Sequence, residues 1–169
     1  IRWDWDSTRA RGSHYRILRK FSTGDADILI GTQMIAKGLD LPLVTLVGIV
    51  SADVGLNLPD YRAAERTFQI LTQVSGRAGR GMLGGKVVLQ TYIPWHHSIE
   101  ASAAHDYSQF YAQEMALRRE LGYPPFGKLA RIVGRNSNAT QLEKEARKIT
   151  VRLKETIRDR RAGSTTIIG

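Results

Sequence analysis

Residues 43–50 read LVTLVGIV, an almost unbroken apolar run that is rich in β-branched side chains. A run this short and this apolar is typical of a strand buried on both faces in the middle of a parallel sheet. Residues 27–31, DILIG, repeat the pattern upstream between polar flanks. The two runs therefore predict central strands of a sheet whose connections contain helices.

Helical patterns and further strands flank these two runs. Downstream, Asp60 can cap a helix over residues 61–74, and KVVLQTY at residues 86–92 predicts a third strand. Upstream, a helix ends at residues 22–24 and follows a short alternating strand. The expected apolar faces are Ala64, Phe68, Leu71 and Val74 in the downstream helix, Tyr15, Leu18 and Phe21 in the upstream helix, and Ile1, Trp3 and Trp5 in the first strand. Strands that alternate with helices predict an α/β fold with a mostly parallel sheet.

The pattern changes after Pro94. Residues 98–121 are helical in pattern, and the two prolines of GYPPF at residues 122–126 end that helix. KLARIVGR at residues 128–135 then predicts a strand. We therefore expect the α/β domain to occupy residues 1–122, with a helical extension from about residue 98.

A second, α+β domain is expected to begin within residues 123–169. Residues 140–161 form a long amphipathic pattern, and STTIIG at residues 164–169 resembles the start of another strand. The apolar face of the long helix consists of Leu142, Ala146, Ile149, Leu153 and Ile157. The abrupt start and the incomplete second unit indicate a piece of a longer chain.

The charge balance favours a polyanionic partner. Lysine and arginine total 25 against 16 acidic residues, a formal net charge of +9 with a pI near 10.2. Nucleic acid is the leading partner of that class, although a basic charge that only keeps the protein soluble is the competing interpretation.

The absence of cysteine excludes disulfides and thiolate zinc sites in this chain. No signal-like start or long apolar run is present, so we expect a cytoplasmic protein without a membrane partner.

Residues 73–81, QVSGRAGRG, place two arginines three positions apart among small residues. Residues three apart are neighbours on a helical turn, so Arg77 and Arg80 would project together. Guanidinium groups stay charged and donate in pairs, which suits the phosphates of a nucleotide. The alternative is a surface arginine pair bonded to carboxylates. That interpretation would be preferred if the two arginines stood without the characteristic residues around them.

Residues 31–42, GTQMIAKGLDLP, begin at the carboxyl end of a predicted central strand. Open α/β sheets bind ligands at that edge. Thr32 and the nearby backbone amides can hold a nucleic-acid phosphate. Asp40, two residues after the flexible Gly38, can reach a ribose or the arginine turn.

Together the two strings resemble motifs V and VI of superfamily 2 helicases, in the second RecA-like lobe. The strings GTQMIAKGLDLP, SADVGLNLPDYRAAERTFQILTQVSGRAGRG and ELGYPPF also resemble the primosomal protein N′ (PriA) family of replication-restart helicases, from about Arg2 to Phe126. The resemblance implies that Arg80 is the arginine finger and Arg77 its partner toward the γ-phosphate. The other implied roles are support of the nucleotide site by Gln73, a link between the sites through Gly38 and Asp40, and nucleic-acid binding by Thr32, Gln33 and Lys37.

The same resemblance implies a function, cofactors and partners. Family members are bacterial, cytoplasmic 3′ to 5′ DNA helicases that hydrolyse ATP with Mg²⁺ in replication restart. The partners implied are forked or single-stranded DNA, other primosome proteins and single-strand-binding protein. Residues 127–169 would then begin the C-terminal DNA-binding domain of the family.

Three features of the family do not occur in this sequence. It contains no phosphate-binding loop with its lysine, no Asp-Glu pair after a strand to hold magnesium, and no cysteine-rich zinc insertion. We expect all three to lie before Ile1 in a parent protein, which would bind zinc outside this chain. The alternatives are a basic DNA-binding module without catalysis and an RNA helicase lobe.

Several other residues allow two interpretations. A solvated loop is preferred to a metal site at His96 and His97, which are expected to point in different directions, and capping or turn roles are preferred to a metal at Asp53 and Asp60. Ion pairs among Arg62, Glu65 and Arg66 are slightly preferred to DNA contact. Trp3, Trp5 and Tyr61 either stack on nucleic-acid bases or pack within the protein. The basic side chains of the long helix either contact phosphates or are solvated; they are Lys144, Arg147, Lys148, Arg152, Lys154, Arg158, Arg160 and Arg161.

Overall fold

A computed structural model describes residues 1–8, 12–32, 35, 43–76, 85–160 and 165–167. The elements in these ranges are, in chain order, β1 (Arg2–Trp3), α1 (Ser13–Ser22), β2 (Ile30–Gly31), β3 (Leu46–Ile49), α2 (Asp53–Leu56), α3 (Ala63–Ser75), β4 (Lys86–Leu89), α4 (His97–Ala103), α5 (Tyr107–Glu120) and α6 (Ala139–Asp159). The chain divides into two compact units, Ile1–Lys128 and Leu129–Gly169. The assignment of residues 1–122 and 123–169 to a helicase lobe and a further domain stays a prediction.

Both sheets that the structure describes are parallel pairs. Strand β1 pairs with β2, and β3 pairs with β4, with Leu46 opposite Lys86 and Ile49 opposite Leu89. The predicted α/β class is therefore confirmed, because helices connect strands that run in the same direction. The strands are shorter than predicted, since residues 27–29 and 90–92 lie outside them.

The prediction that these strands are buried on both faces is wrong. Ile30 is 66% exposed and Leu46 is 60% exposed, and within the described ranges each sheet has only two strands, so neither strand is central. Exposed and half-buried residues alternate along β3 and β4. The half-buried Ile49 and Leu89 pack on the helices, whereas alternate residues point away from them.

The first helix, α1, only partly buries the face that was predicted, because Leu18 and Phe21 are half-buried. Ile17 and Ser13 are its buried residues, while Tyr15 is 69% exposed. The indole Nε1 of Trp3 donates to Nδ1 of His14 at 3.1 Å, so the start of α1 is fixed to β1. The helix ends at Ser22, as predicted, and Gly24 follows with a φ of 81° that favours glycine.

Helix α3 forms the centre of the first unit. Phe68 and Leu71 are buried as predicted, whereas Ala64 and Val74 are only half-buried. Asp60 acts at the start of α3, where its carboxylate accepts from the Arg62 N–H at 3.0 Å and its carbonyl accepts from the next N–H. Because α3 begins at Ala63, Asp60 is a turn residue just before the helix, and its predicted place at the cap is two residues too early.

The predicted single helix over residues 98–121 is two helices, α4 and α5. Asp106 separates them, because its carboxylate accepts from the Gln109 N–H at 2.8 Å and caps α5. His105, just before it, has a φ of 54°, which no helix accommodates. Helix α5 ends at Glu120, one residue before the predicted end, and Gly122 follows with a φ of 66°.

Two apolar clusters surround α3. Ala52, Leu71 and Ile99 form the first, which the partly buried Ile49, Leu56, Leu89 and Ile93 extend toward the sheet. Phe68, Ala101 and Phe110 form the second, on the side of α4 and α5. The rings of Phe68 and Phe110 are stacked, with centroids 4.2 Å apart and planes 8° from parallel.

We expect Phe68→Ala to lower the free energy of unfolding by about 3–5 kcal/mol, since it removes a buried ring and leaves a cavity between helices. Tyr111→Ala, on the exposed side of α5, serves as the control and should change it by less than about 1 kcal/mol. Urea denaturation followed by circular dichroism measures both values. Similar losses in the two variants would contradict the central role of the stack.

The second unit contains α6 as its only element within the described ranges. Asn138 caps α6 by accepting from the Gln141 N–H at 3.0 Å. The predicted strand at residues 128–135 is wrong, because this segment has no partner strand in the described part of the chain, and residues 165–167 also lie outside any strand.

Burial of the predicted apolar face of α6 is not observed. No residue of α6 is buried. Leu142 and Ile157 are half-buried, and Ala146, Ile149 and Leu153 are exposed. The described part of the second unit therefore offers little surface on which this face can pack. Among the described helices of both units, none is long and apolar enough to cross a membrane.

Candidate functional site

The first predicted string begins at the end of β2. A Cβ on Gly31 would overlap the carbonyl oxygen of Trp3 and the side chain of Ile35, so only glycine allows β2 this close to β1. Thr32 follows, and its carbonyl accepts from the Ile35 N–H at 3.0 Å in a turn. The Thr32 side chain is exposed, as a contact to a phosphate requires.

The second predicted string begins in the last turn of α3. Gln73 is exposed there, and the Gly76 N–H closes the helix on the Thr72 carbonyl at 3.0 Å. Within the described part of the chain, the side chains of Thr32 and Gln73 make no hydrogen bond, and both are exposed. No hydrogen bond or ion pair joins the two residues.

Most of the predicted site lies outside the described residues. These positions are Gln33, Lys37, Gly38, Asp40, Arg77 and Arg80. Their assigned roles stay predictions.

An ion-pair network that the sequence analysis did not identify joins α3 to α5. Arg118 donates to Glu114 at 2.8 Å and to Glu65 at 2.8 Å, so one guanidinium holds carboxylates from two helices. It also donates to the Pro124 carbonyl at 3.3 Å and lies over the Tyr61 ring, 5.2 Å from the centroid. The Glu114–Arg118 spacing of four residues is visible in the sequence, but the cross-helix partner is not.

The network continues from Glu114 to α4. The second carboxylate oxygen of Glu114 bonds to Nε2 of His97 at 2.9 Å. Burial raises the pKa of Glu114, but the hydrogen bonds from His97 and Arg118 outweigh that effect and keep the pKa below its ordinary value. Burial lowers the pKa of Arg118, and its bonds to Glu65 and Glu114 more than compensate. Glu114 and Arg118 are therefore both charged, and the network fixes three helices to one another.

A groove of about 500 Å³ lies between α3 and α5. Its apolar wall contains Phe68, Phe110 and Tyr107, and Arg118 lines it together with Glu65. Gln73 also lines the groove, so it connects the groove with the start of the arginine string.

The predicted turn role is observed for Asp60, whereas the Asp53 carboxylate caps no helix and bonds instead to residues far along the chain. Asp53 accepts from the Thr91 hydroxyl at 2.6 Å and from the Tyr92 N–H at 3.2 Å, which lowers the pKa of its carboxyl. Hydrogen bonds from the backbone and side chain of Arg62 lower the pKa of Asp60 to about 2. In the ranges that the structure describes, no three His, Asp or Glu side chains are grouped to hold a metal ion.

The arginines beside Asp60 pair differently from the prediction. Arg62 and Arg66 both contact Asp60, at 3.3 and 2.9 Å, and Glu65 pairs instead with Arg118. The prediction of internal i, i+3 or i+4 pairs among Arg62, Glu65 and Arg66 is wrong, although each of the three side chains forms an ion pair. The charged side chains of this turn are thus divided between two partners, the arginines pairing with Asp60 and the glutamate with Arg118.

The two adjacent histidines do not form a solvated loop, and their rings do not diverge. His96 precedes α4 in an extended conformation, and its Nδ1 accepts from the Ser98 N–H at 3.2 Å, which caps the helix. The rings of His96 and His97 are stacked, with centroids 4.4 Å apart. Both predictions are wrong because His96 lies outside the helix and His97 begins it.

The three candidate aromatic residues have different surroundings. Trp3 is buried, and Tyr61 packs between Arg118 and the ring of Tyr123, with centroids 5.9 Å apart. Packing therefore accounts for these two residues. Trp5 is 71% exposed and remains accessible to a base.

The basic face of α6 is partly neutralised. Arg147 pairs with Glu143 at 2.7 Å and Lys148 with Glu145 at 2.9 Å, both in exposed positions. Exposed pairs of this kind contribute little to stability. Lys144, Arg152 and Lys154 make no ion pair within the described residues, so they remain available to an anion.

Comparison with known proteins identifies the class of this chain. Residues 6–82 match the helicase conserved C-terminal domain. The chain is 53% identical over 154 residues to replication restart protein PriA of Bacillus subtilis (strain 168), a match that covers 91% of this chain and 19% of that protein. It is 52% identical over 151 residues to replication restart protein PriA of Synechocystis sp., covering 89% of this chain and 18% of that protein. For replication restart protein PriA of Chlamydia muridarum the identity is 46% over 157 residues, covering 93% and 21%.

The first unit thus contains a helicase C-terminal domain, which includes Thr32 and Gln73 and ends just after the arginine string. The chain belongs to the PriA family of replication restart proteins, which confirms the predicted resemblance. It spans about a fifth of the length of the curated relatives it matches.

The cap formed by His96 predicts a pH dependence of stability. Burial, and then the charge of His97, lower the pKa of His96 below its ordinary value of 6.5. The unfolded chain therefore takes up a proton first. The contribution of His96 to stability is complete above pH 6.5 and is lost as the pH falls from 6.5 through the lower pKa of the folded state.

His96→Asn should remove this pH dependence, because asparagine retains a capping acceptor that does not titrate in this range. His105→Asn is the matched control, since His105 is exposed and asparagine tolerates its positive φ. Thermal unfolding from pH 8 to pH 5 measures the effect. A profile in His96→Asn that stays as steep as in the unchanged protein would contradict the assignment.

Proposed function

We propose that this chain forms the second RecA-like lobe, followed by the start of a C-terminal DNA-binding domain, of an ATP-dependent 3′ to 5′ DNA helicase in replication restart. The observation that carries the proposal is the 53% identity over 154 residues to replication restart protein PriA. The match to the helicase C-terminal domain supports it, because residues 6–82 include both motif strings.

In this proposal, Arg80 is an arginine finger and Arg77 its partner toward the γ-phosphate. Their guanidinium groups meet the negative charge that develops on the phosphates in the transition state. Gln73 supports the nucleotide from the end of α3, and its exposed amide is suited to that contact. ATP and Mg²⁺ are shared with a first helicase lobe, which supplies the phosphate-binding loop and the magnesium ligands.

DNA lies on the same lobe in this proposal. Thr32, Gln33 and Lys37 contact the backbone, and Gly38 with Asp40 connects that contact to the nucleotide. Closure of the cleft between lobes depends on the γ-phosphate and relaxes after hydrolysis, which moves the lobe along one strand. The net charge of +9 is suited to such a polyanion.

The wider assignments rest on the family resemblance and belong to the same proposal. The protein acts in the bacterial cytoplasm on forked or single-stranded DNA, with other primosome proteins and single-strand-binding protein. Zinc is assigned to a cysteine-rich insertion in another part of the parent protein, since this chain has no cysteine to supply such a site. The competing functions are an RNA helicase lobe and a basic DNA-binding module without catalysis.

Arg80→Ala in the full-length protein should reduce DNA-stimulated ATP hydrolysis by about 10³-fold or more, the effect of losing an arginine finger. DNA affinity should stay within a few-fold, because the finger contacts the nucleotide. Arg66→Ala is the control, since Arg66 pairs with Asp60 on the helix that precedes the string. Steady-state hydrolysis and DNA binding by fluorescence anisotropy measure the two effects.

Near-normal turnover in Arg80→Ala would refute the finger assignment. Stimulation by RNA equal to stimulation by DNA would favour an RNA helicase. A full-length protein that binds DNA but hydrolyses no ATP would favour the non-catalytic module.

A further inference from the structure

Helix α5 lies outside the matched helicase domain, yet it holds the helix that leads to the arginine string. The domain match ends at residue 82, whereas Arg118 of α5 bonds to Glu65 of α3 at 2.8 Å. Only 12% of the Arg118 side chain is exposed, so water screens this bond weakly. A segment added after the helicase domain is therefore tied directly to α3.

The burial of α3 is uneven along its length. Its buried residues are Ala63, Thr67, Phe68 and Leu71, and none lies in the last turn, which carries Gln73. The direction of that last turn is therefore set by contacts made nearer the start of the helix. The contact between Glu65 and Arg118 belongs to that part, on the side that faces α5.

A small tilt of α3 would be enlarged at the nucleotide site. Gln73 lies eight positions after Glu65, which is about 12 Å along a helix. A tilt of about 5° at Glu65 therefore displaces the end of the helix by about 1 Å. A displacement of that size at a reacting centre can reduce a rate by about 10²-fold.

We propose that Arg118 is a positioning residue for ATP hydrolysis, which sets the direction of α3 and hence the place of Gln73 in its last turn. The inference rests on the proposed function, because it assumes that Gln73 supports the nucleotide. Arg118 holds Glu65 from α5, while Glu114 and the Pro124 carbonyl hold the guanidinium in place. The stacked Phe68 and Phe110 keep the helices together without Arg118, so its loss tilts α3 and does not detach it.

Glu65 offers the cleaner test of the two partners. The Glu65 side chain is 37% exposed, so replacing it with a neutral residue changes the desolvation at this position little. Arg118 keeps its ion pair with Glu114 in that variant. Replacing Arg118 instead leaves Glu114, only 9% exposed, without its arginine partner. The variants are Glu65→Gln, Glu65→Ala, Arg118→Ala and the double variant, all in the full-length protein. Arg119→Gln is the matched control, because Arg119 lies over the Phe126 ring and makes no hydrogen bond or ion pair with α3 within the described ranges.

We expect Glu65→Ala to lower kcat for DNA-stimulated ATP hydrolysis by about 10-fold or more, with KM for ATP and DNA affinity within about two-fold. Glu65→Gln should lose less, because an amide still accepts from the guanidinium. The double variant should be no slower than Arg118→Ala, since one contact is lost in both. The thermal midpoint of Glu65→Ala should stay within a few degrees of the unchanged protein, and Arg119→Gln should retain full turnover.

Unchanged kcat in Glu65→Ala would overturn the inference. A fall in kcat that only accompanies a fall in the thermal midpoint, or that equals the loss in Arg119→Gln, would also overturn it. Failure of the proposed function has a different result, because Arg80→Ala would then turn over normally. Loss of turnover in Arg80→Ala with normal turnover in Glu65→Ala refutes only the positioning role.

Discussion

The packing of α3 between two apolar clusters is the constraint on which the first unit depends. On one side Leu71 meets Ala52 and Ile99 above the sheet, and on the other Phe68 stacks on Phe110. Apolar burial of this kind is worth roughly 1.5–3 kcal/mol for each large side chain. Because these contacts fix α3 laterally, polar groups at its ends are left to set its direction and its function.

The sequence predicted the class and order of the elements because their periodicities are strong. Phe68 and Leu71 follow a helical spacing whose buried face the structure confirms, and the parallel pairing of β3 with β4 follows from strands that alternate with helices. Burial was predicted less well. Tyr15 is apolar enough to suggest a core position, but the packing of α1 on β1 selects Ile17 instead. Apolar character alone does not determine which face meets a partner.

The candidate site was likewise predicted only in part from the sequence. Thr32 and Gln73 were identified from motif strings, and the structure places them where a strand and a helix end. The Arg118 network was missed, because Glu65 and Arg118 are 53 residues apart and no local spacing connects them. The break at Asp106 was missed although aspartate is a preferred cap, since the alanine-rich pattern around it continues a helical periodicity. Long-range polar partners and short interruptions are thus the features that local patterns do not contain.

The bond from Thr91 to Asp53 joins positions 38 residues apart, and the pairing of β3 with β4 encloses the same stretch of chain. Helices form from local contacts within about a microsecond, whereas pairing of distant strands must first close a long loop. Helix α3 lies inside that loop. We therefore expect the order of assembly to be helix first and sheet second, so the rate-limiting barrier to folding reports on strand pairing and not on the helical clusters.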